Sequence, residues 1–188
     1  MVVMFEKAPK EGPRYPHMAI HPYPAELETE VALRDGTRVL VRPIRPEDVE
    51  LEKRFFDRLS ERSRFQRFMH HLPQLPPRML ARFTQLDYDR ELALVAVLQN
   101  EFIAVGRYAP NLDGATAEFA LVVADAWQGK GLGRLLLERL REEARKAGYQ
   151  ALYGNIMHAN REMLDLAYRL GFVQESSDGG DVTVVSKL

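Results

Sequence analysis

Cysteine is missing from the 188-residue sequence, which excludes disulfides, thiol nucleophiles and cysteine-ligated metals. Net charge is also small: 26 basic residues face 27 acidic ones, a formal balance of −1 that indicates neither a nucleic-acid nor a membrane partner. No apolar run approaches the roughly 18 residues of a membrane helix. The first 20 residues are cut by prolines and lack the apolar core of a signal peptide. We therefore expect a cytoplasmic protein.

The chain is long enough for one domain with a sizeable core, and its content of hydrophobic residues, 46%, is ordinary for a globular protein. Residues 1–26 contain five prolines and show no helical or strand period. We expect residues 1–27 to form an extended proline-rich arm and residues 28–188 to form the folded domain.

The hydrophobic pattern predicts strands and helices in the order ββααα-ββ-βα-βα-ββ. Asp35-Gly36 separates two alternating runs, which is typical of a hairpin turn. Pro46 begins the first of three short helices, since proline is favoured in the first helical turn. Without internal repeats or a low-complexity tract, the sequence predicts an α+β, or mixed α/β, sandwich.

One stretch, residues 118–134 with the sequence EFALVVADAWQGKGLGR, carries the most functional information. An apolar strand over 116–123 is followed by three glycines at every second position, and a strong helix pattern continues to about Ala147. Glycines at that point leave bare backbone N–H groups at a helix N-terminus, where the helix dipole also favours anions. The stretch therefore predicts a pyrophosphate-binding segment.

Three other interpretations of these glycines exist, and the spacing excludes two of them. They could serve turn geometry alone. A dinucleotide-binding loop needs G-x-G-x-x-G and an acidic residue about 20 positions on. Here the spacing is G-x-G-x-G, and the next predicted strand, over 151–156, holds no acid. A Walker loop needs G-x-x-x-x-G-K-[ST], which is absent.

The acyl-CoA signature Q/R-x-x-G-x-G/A does fit, with Gln128, Gly131 and Gly133. On this motif the sequence resembles the GNAT superfamily of N-acetyltransferases over roughly residues 36–188. The resemblance implies a twisted, mostly antiparallel sheet of about seven strands flanked by helices, splayed at the strand that binds coenzyme A. It also implies acetyl-CoA as cosubstrate and no metal. The expected cofactor-binding residues are Leu121, Val122, Val123, Gln128, Gly129, Lys130, Gly131, Leu132, Gly133, Arg134 and Asn160.

Asn160 belongs to a second motif, which leads to Leu170-Gly171-Phe172. In the family, the asparagine at this point commonly bonds the pantetheine arm, although a helix N-cap would satisfy Asn160 equally well. Many members use a tyrosine five residues before the phenylalanine as acid toward the thiolate. That position is Ala167 here, and Tyr168 lies about 100° further around the helix. We therefore expect no tyrosine acid.

Glu118 is the candidate general base. It lies early on the strand that the resemblance assigns to coenzyme A, and glutamate is disfavoured inside strands. Partly apolar surroundings would raise its pKa and suit it to take a proton from the acceptor amine, directly or through a water. The alternative is a carboxylate at the rim, paired with an arginine.

Further blocks narrow the resemblance to the bacterial protein lysine acetyltransferases that act on acyl-CoA synthetases. They include Leu33-Arg34-Asp35-Gly36-Thr37, Leu59-Ser60-x-x-Ser63-Arg64 and Ala117-Glu118-Phe119-Ala120. In that group the strand glutamate is the base and the late-helix tyrosine is not used. The resemblance thus implies transfer of an acetyl group to a lysine side chain of a protein. The first candidate for that protein is an acyl-CoA synthetase. A small-amine acetyltransferase and a non-catalytic acetyl-CoA-binding module stay open, as does the choice between monomer and homodimer.

Overall fold

The computed structural model describes residues 21–188. The described residues form a mixed α/β fold in which one sheet carries helices on both faces. Its strands are β1 (Thr29–Ala32), β2 (Arg38–Pro43), β3 (Leu92–Leu98), β4 (Glu101–Pro110), β5 (Thr116–Val123), β6 (Ala151–Met157), β7 (Val173–Asp178) and β8 (Asp181–Lys187). Its helices are α1 (Val49–Arg58), α2 (Glu61–Phe68), α3 (Pro77–Thr84), α4 (Leu132–Lys146) and α5 (Arg161–Arg169).

The strands form a single sheet in the order β1-β2-β3-β4-β5-β6-β8-β7. All neighbours are antiparallel except β5 and β6, which are parallel. The sheet has eight strands, against the about seven that the resemblance implied. The Asp35-Gly36 turn adds an outer hairpin, in which Gly36 has a φ of 85°. The mixed, mostly antiparallel fold is as predicted.

Each face of the sheet has its own core. On one face, Leu136, Leu137 and Leu140 of α4 pack into a large cluster that also takes up Leu164 and Ala167 of α5. On the other face, α1 and α3 cover the sheet through smaller clusters around Ile44, Phe55, Phe102 and Phe56. The regular 3.6-residue spacing of these apolar residues is what the sequence pattern of the helices predicted.

The predicted arm falls largely on residues 1–20, which lie outside the described residues. Of its last part, Ala25–Leu27 forms a 3-10 turn. The Tyr23 hydroxyl donates to Glu28 Oε1 at 2.6 Å and to the Pro43 carbonyl at 3.2 Å, and its ring packs edge-on against Tyr88. Tyr23 is therefore attached to the sheet rather than separate from it.

The parallel pairing between β5 and β6 covers only three residue pairs and ends at Glu118 and Tyr153. Beyond that point the two strands diverge. The next residues are Phe119 and Gly154, and a Cβ built on Gly154 would lie 2.4 Å from Phe119 Cε1. The buried Phe119 ring, which also contacts Phe172 edge-on at 5.3 Å, thus fills the space where a β6 side chain would lie. The expected splay is present, with an aromatic ring at its apex.

We predict that Gly154→Ala destabilises the protein, because the added methyl group would overlap the Phe119 ring in a packed core. Overpacking of this kind costs roughly 1–3 kcal/mol. Urea or thermal unfolding should show the loss, and Phe119→Leu in the same chain should return part of it, with Phe119→Leu alone as the reference. Wild-type stability for Gly154→Ala would contradict the assignment.

Candidate active site

A cleft of about 290 Å³ opens where β5 and β6 diverge. The carboxyl half of β5, the start of α4 and the start of α5 form its walls. Ten of the eleven predicted cofactor-binding residues line it: Leu121, Val122, Val123, Gln128, Gly129, Gly131, Leu132, Gly133, Arg134 and Asn160. Lys130 does not line the cleft. One cavity therefore brings together residues from two motifs that are far apart in the sequence.

The glycine segment has the backbone geometry of an anion site. Gly129 and Gly131 have φ values of 74° and 96°, in a region that L side chains rarely adopt. Within residues 21–188, the backbone N–H groups of 129–134 have no hydrogen-bond acceptor, and the first N–H to bond is that of Leu135, to the Gly131 carbonyl at 3.0 Å. The unpaired donors lie at the positive end of the 15-residue helix α4. This arrangement can bind phosphate oxygens without any side chain.

The edge of β5 that faces the cleft carries free backbone groups. Ala124 donates its N–H to Ile103 of β4 at 2.9 Å, so alternation along the strand turns the backbone of Leu121 and Val123 toward the gap left by β6. The Val123 carbonyl accepts from Gln128 Nε2 at 3.1 Å, which closes that end of the edge. An extended ligand can therefore pair with this strand as an added strand would.

Basic side chains lie around the glycine segment, but the two that the sequence predicted to bind the cofactor, Lys130 and Arg134, form ion pairs with carboxylates of the chain. Lys130 Nζ lies 2.7 Å from Asp35 Oδ2, and this ammonium, with the Thr37 backbone N–H, holds the pKa of Asp35 well below its usual range. Arg134 Nε donates to Glu138 at 2.9 Å. Arg34, in the β1–β2 turn, lines the cleft instead, and its Nε would lie 3.7 Å from a Cβ on Gly131. The outer hairpin thus brings a guanidinium to the phosphate-binding segment.

Asn160 is the N-cap of helix α5, which was one of the two roles that the sequence allowed for it. Its side chain accepts from the Met163 N–H at 3.2 Å and caps α5. It also lines the cleft, together with Met163 and Leu166 of the same helix. Because the cap uses the side-chain oxygen, the amide NH₂ group stays available for a ligand.

Glu118 lies at the apex of the splay, as the last β5 residue paired with β6. The expectation of partly apolar surroundings is wrong: its side chain is exposed, and Oε1 accepts from Asn155 Nδ2 at 3.1 Å. Asn155 is itself held by Thr183, whose hydroxyl donates to Asn155 Oδ1 at 2.9 Å. Within residues 21–188 Glu118 has no salt bridge, so the rim carboxylate paired with arginine is not observed either.

Neither Ala167 nor its neighbour Tyr168 lines the cleft. Ala167 is fully buried in the core and does not line the cleft. Tyr168 is 41% exposed, and its hydroxyl donates to Gln174 at 3.3 Å, away from the cleft. No tyrosine of residues 21–188 lines the cleft.

Helix α2 supplies cleft residues that sequence reasoning missed, namely Ser63, Gln66 and Arg67. Asp125, in the turn after β5, fixes this helix to the cleft by accepting from the Ser60 and Ser63 hydroxyls at 2.6 and 2.8 Å. The S-x-x-S spacing of Ser60 and Ser63 was the available signal. Their partner, Asp125, lies more than 60 residues away, so no local pattern identifies the hydrogen bonds between them.

Residues 21–188 contain neither a metal site nor a membrane-spanning helix. No group of three or more histidine, aspartate or glutamate side chains could hold a metal ion. None of the helices in this part of the chain has both the length and the apolar character needed to cross a membrane.

The sheet, its splay and the glycine segment before α4 are the features that a resemblance to acetyltransferases implied. The family model of GNAT acetyltransferases matches residues 54–172. An acetyltransferase of Pseudomonas aeruginosa is 34% identical over 161 residues, which is 84% of this chain and 87% of that protein. The chain therefore belongs to the GNAT family of acetyltransferases.

Solved structures agree with this assignment. The GNAT domain of S. lividans PAT has a TM-score of 0.84 and 34% identity, over 89% of this chain and all of that domain. A putative acetyltransferase from Salmonella typhimurium, YncA, was solved with its cofactor acetyl-CoA. It has a TM-score of 0.68 over 81% of this chain and 95% of that one, and at 21% identity the likeness concerns the fold alone.

We predict that Arg34→Met weakens the binding of acetyl-CoA about fivefold at low ionic strength, because one charge–phosphate contact is lost, and less in high salt, which screens exposed charges. Isothermal titration at two salt concentrations measures the difference. Arg38→Met is the matched control, since Arg38 is exposed on the same hairpin and does not line the cleft. Equal affinities in the two variants would show that Arg34 does not contact the cofactor.

Proposed function

We propose that this chain is an acetyl-CoA-dependent protein lysine acetyltransferase, with an acyl-CoA synthetase as its acceptor. The observation that carries the choice of acceptor is the position of Glu118. Its carboxylate is exposed, at the last β5 residue paired with β6 and three residues before Leu121, the first β5 residue that lines the cleft. A lysine on the surface of a large protein can reach such a site.

The cofactor side of the proposal rests on the cleft. The unpaired N–H groups of 129–134 would bind the pyrophosphate, and the free edge at Leu121 and Val123 would pair with the pantetheine arm. Gln128 would orient the loop through its bond to Val123, and Asn160 would add an amide donor. The thioester then lies toward the apex of the splay, near Glu118.

The reaction is a direct transfer. The acceptor ammonium loses one proton to Glu118 or to a water that Glu118 holds, since an amine with a usual pKa of about 10.4 is protonated at neutral pH. The amine nitrogen attacks the thioester carbonyl, and the C–S bond breaks as the amide forms. Asn155, held by Thr183, fixes the orientation of the carboxylate for this step.

The described residues do not favour a small-amine acceptor. A site for a small amine would be a deep acidic pocket, and the second cavity, beneath α1, measures only about 10 Å³ and is mostly apolar. That volume holds about one water at most. Exposure of Glu118 thus supports the protein acceptor over the amine.

We predict that Glu118→Gln lowers kcat about 10²- to 10⁴-fold, the range for loss of a general base. The affinity for acetyl-CoA should stay within about twofold, because the variant keeps the size of the side chain. Glu175→Gln on the exposed strand β7 is the control. Full turnover by Glu118→Gln at saturating substrates would remove Glu118 from the reaction. Binding of acetyl-CoA without turnover by the wild type would instead favour a non-catalytic binding module.

The acceptor is tested with labelled acetyl-CoA, a panel of acyl-CoA synthetases, and free lysine and small amines at matched concentrations. Mass spectrometry of the labelled proteins should locate the acetyl group on a lysine side chain of a synthetase. Unlabelled synthetases together with rapid labelling of the free amines would overturn the protein acceptor and leave the acetyltransferase activity standing.

A further inference from the structure

Arg67 is a charged residue of the cleft with no partner and no assigned role. It lies in the last turn of α2 and lines the cleft together with Val122. Within residues 21–188, its guanidinium has no salt bridge within 4.0 Å and no side-chain hydrogen bond, although the group can donate five. Its Cζ packs 4.8 Å from the Phe68 ring centroid and 6.0 Å from that of Phe83.

A buried charge cluster lies behind Arg67, on the side away from the cleft. Glu52 of α1 has a side chain only 7% exposed, and its Oε1 accepts from Arg107 Nη2 at 3.4 Å. Its second oxygen, Oε2, has no partner in the described part of the chain. Arg67, Arg107 and Glu52 together line the small second cavity. The cluster thus contains two guanidinium groups, Arg67 and Arg107, and one carboxylate, Glu52. Its net charge is positive, and Arg67 is the member that also lines the cleft.

Arg67 lies on the same side of the sheet as the proposed base, because alternation along β5 puts the side chains of Glu118 and Val122 on one face and Arg67 lines the cleft together with Val122. Burial and, after it, Arg107 lower the pKa of Arg67, while Glu52 and Glu118 raise it, and the net result is a pKa of about 10. The group that lines the cofactor cleft therefore also senses Glu118. In the proposed reaction the reacting atoms lie between the cofactor and the base, and Arg67 is a cation of the cleft on that face of the sheet.

We propose that the Arg67 guanidinium stabilises the negative charge that develops on the thioester oxygen and on the departing sulfur. This inference rests on the proposed acetyl-CoA function. The guanidinium would stabilise the departing thiolate in place of a proton donor at residue 167, where this chain has a buried alanine. Positive charge that is already in position where negative charge develops is an effective way to stabilise such a transition state.

The step balances without a proton from Arg67. The ammonium gives its first proton to Glu118 or water, the amine nitrogen forms a bond to the carbonyl carbon, and the C–S bond electrons go to the sulfur. The nitrogen loses a second proton to solvent when the tetrahedral intermediate collapses. The thiolate leaves paired with the guanidinium and takes a proton from solvent later, so the products are the amide, coenzyme A and one released proton.

The direct test measures the bound thiol and needs no acceptor. Coenzyme A is titrated on the protein while the ultraviolet absorbance of the thiolate is followed, with wild type, Arg67→Lys, Arg67→Met and the control Arg62→Met, whose exposed arginine lies on the same helix outside the cleft. We expect the largest rise in the pKa of the bound thiol in Arg67→Met, a smaller rise in Arg67→Lys and no rise in Arg62→Met. Above that pKa, Arg67→Met should bind coenzyme A about tenfold more weakly and desulfo-coenzyme A as tightly as wild type does.

Turnover gives the second readout. Arg67→Met should lower kcat about 100-fold with little change in the KM for acetyl-CoA, while Arg67→Lys, which keeps the charge but not the planar fork, should retain more activity. An unchanged pKa of the bound thiol, or equal losses of coenzyme A and desulfo-coenzyme A affinity, would show that Arg67 is only structural. Absence of coenzyme A binding to the wild type would instead overturn the proposed cofactor, so the two failures are distinguishable.

Arg67→Met could also weaken folding, because Glu52 would lose one of its two cations. Thermal unfolding of each variant checks this point. Should Arg67→Met unfold, the desulfo comparison is made with Arg67→Lys, for which a smaller shift of the same sign is expected, and a wild-type titration curve in that variant would contradict the proposal.

Discussion

The separation of β5 from β6 is the constraint on which the rest of the site depends. Parallel pairing lasts for three residue pairs and ends where the Phe119 ring lies over Gly154. Backbone groups that cannot pair in the sheet must find another partner or remain in solvent. The separation therefore creates a free strand edge, and it places Glu118 at the apex, beside that edge.

The two faces of the sheet contribute different properties to the cleft. The α4 face is a continuous apolar core, which fixes the start of that helix and holds its unpaired N–H groups in position. The α1–α3 face contains charge that is only partly neutralised, in Glu52, Arg67 and Arg107. Asp125 connects the two by holding α2 against the turn that leads to α4. A multiply negative cofactor would thus have positive potential at both of its ends.

The sequence was most informative where structure is determined locally. The strand over 116–123, the glycines before α4 and the capping role of Asn160 follow from patterns a few residues long, and the structure has all three. The resemblance also predicted the mostly antiparallel sheet and its splay. It implied about seven strands, whereas the sheet has eight because of the outer hairpin.

Contacts between distant parts of the chain could not be predicted in this way. Arg34 and Arg67 line the same cleft as the glycine segment but come almost 100 and more than 60 residues before it in the sequence. The surroundings of Glu118 were predicted incorrectly for a related reason. Strand alternation determines which face a side chain is on, but whether a helix covers that face depends on packing between distant elements. The face above Glu118 is open, so the carboxylate is exposed.

Burial of Ala167 limits how this enzyme can evolve. The residue packs in the same cluster as Phe172 and Leu164, with no space around its methyl group. A tyrosine there would overpack the core before it could donate a proton, and overpacking typically costs 1–3 kcal/mol, about a fifth of the stability of a typical domain. A single substitution to tyrosine at residue 167 would therefore cost stability before its hydroxyl could reach the cleft.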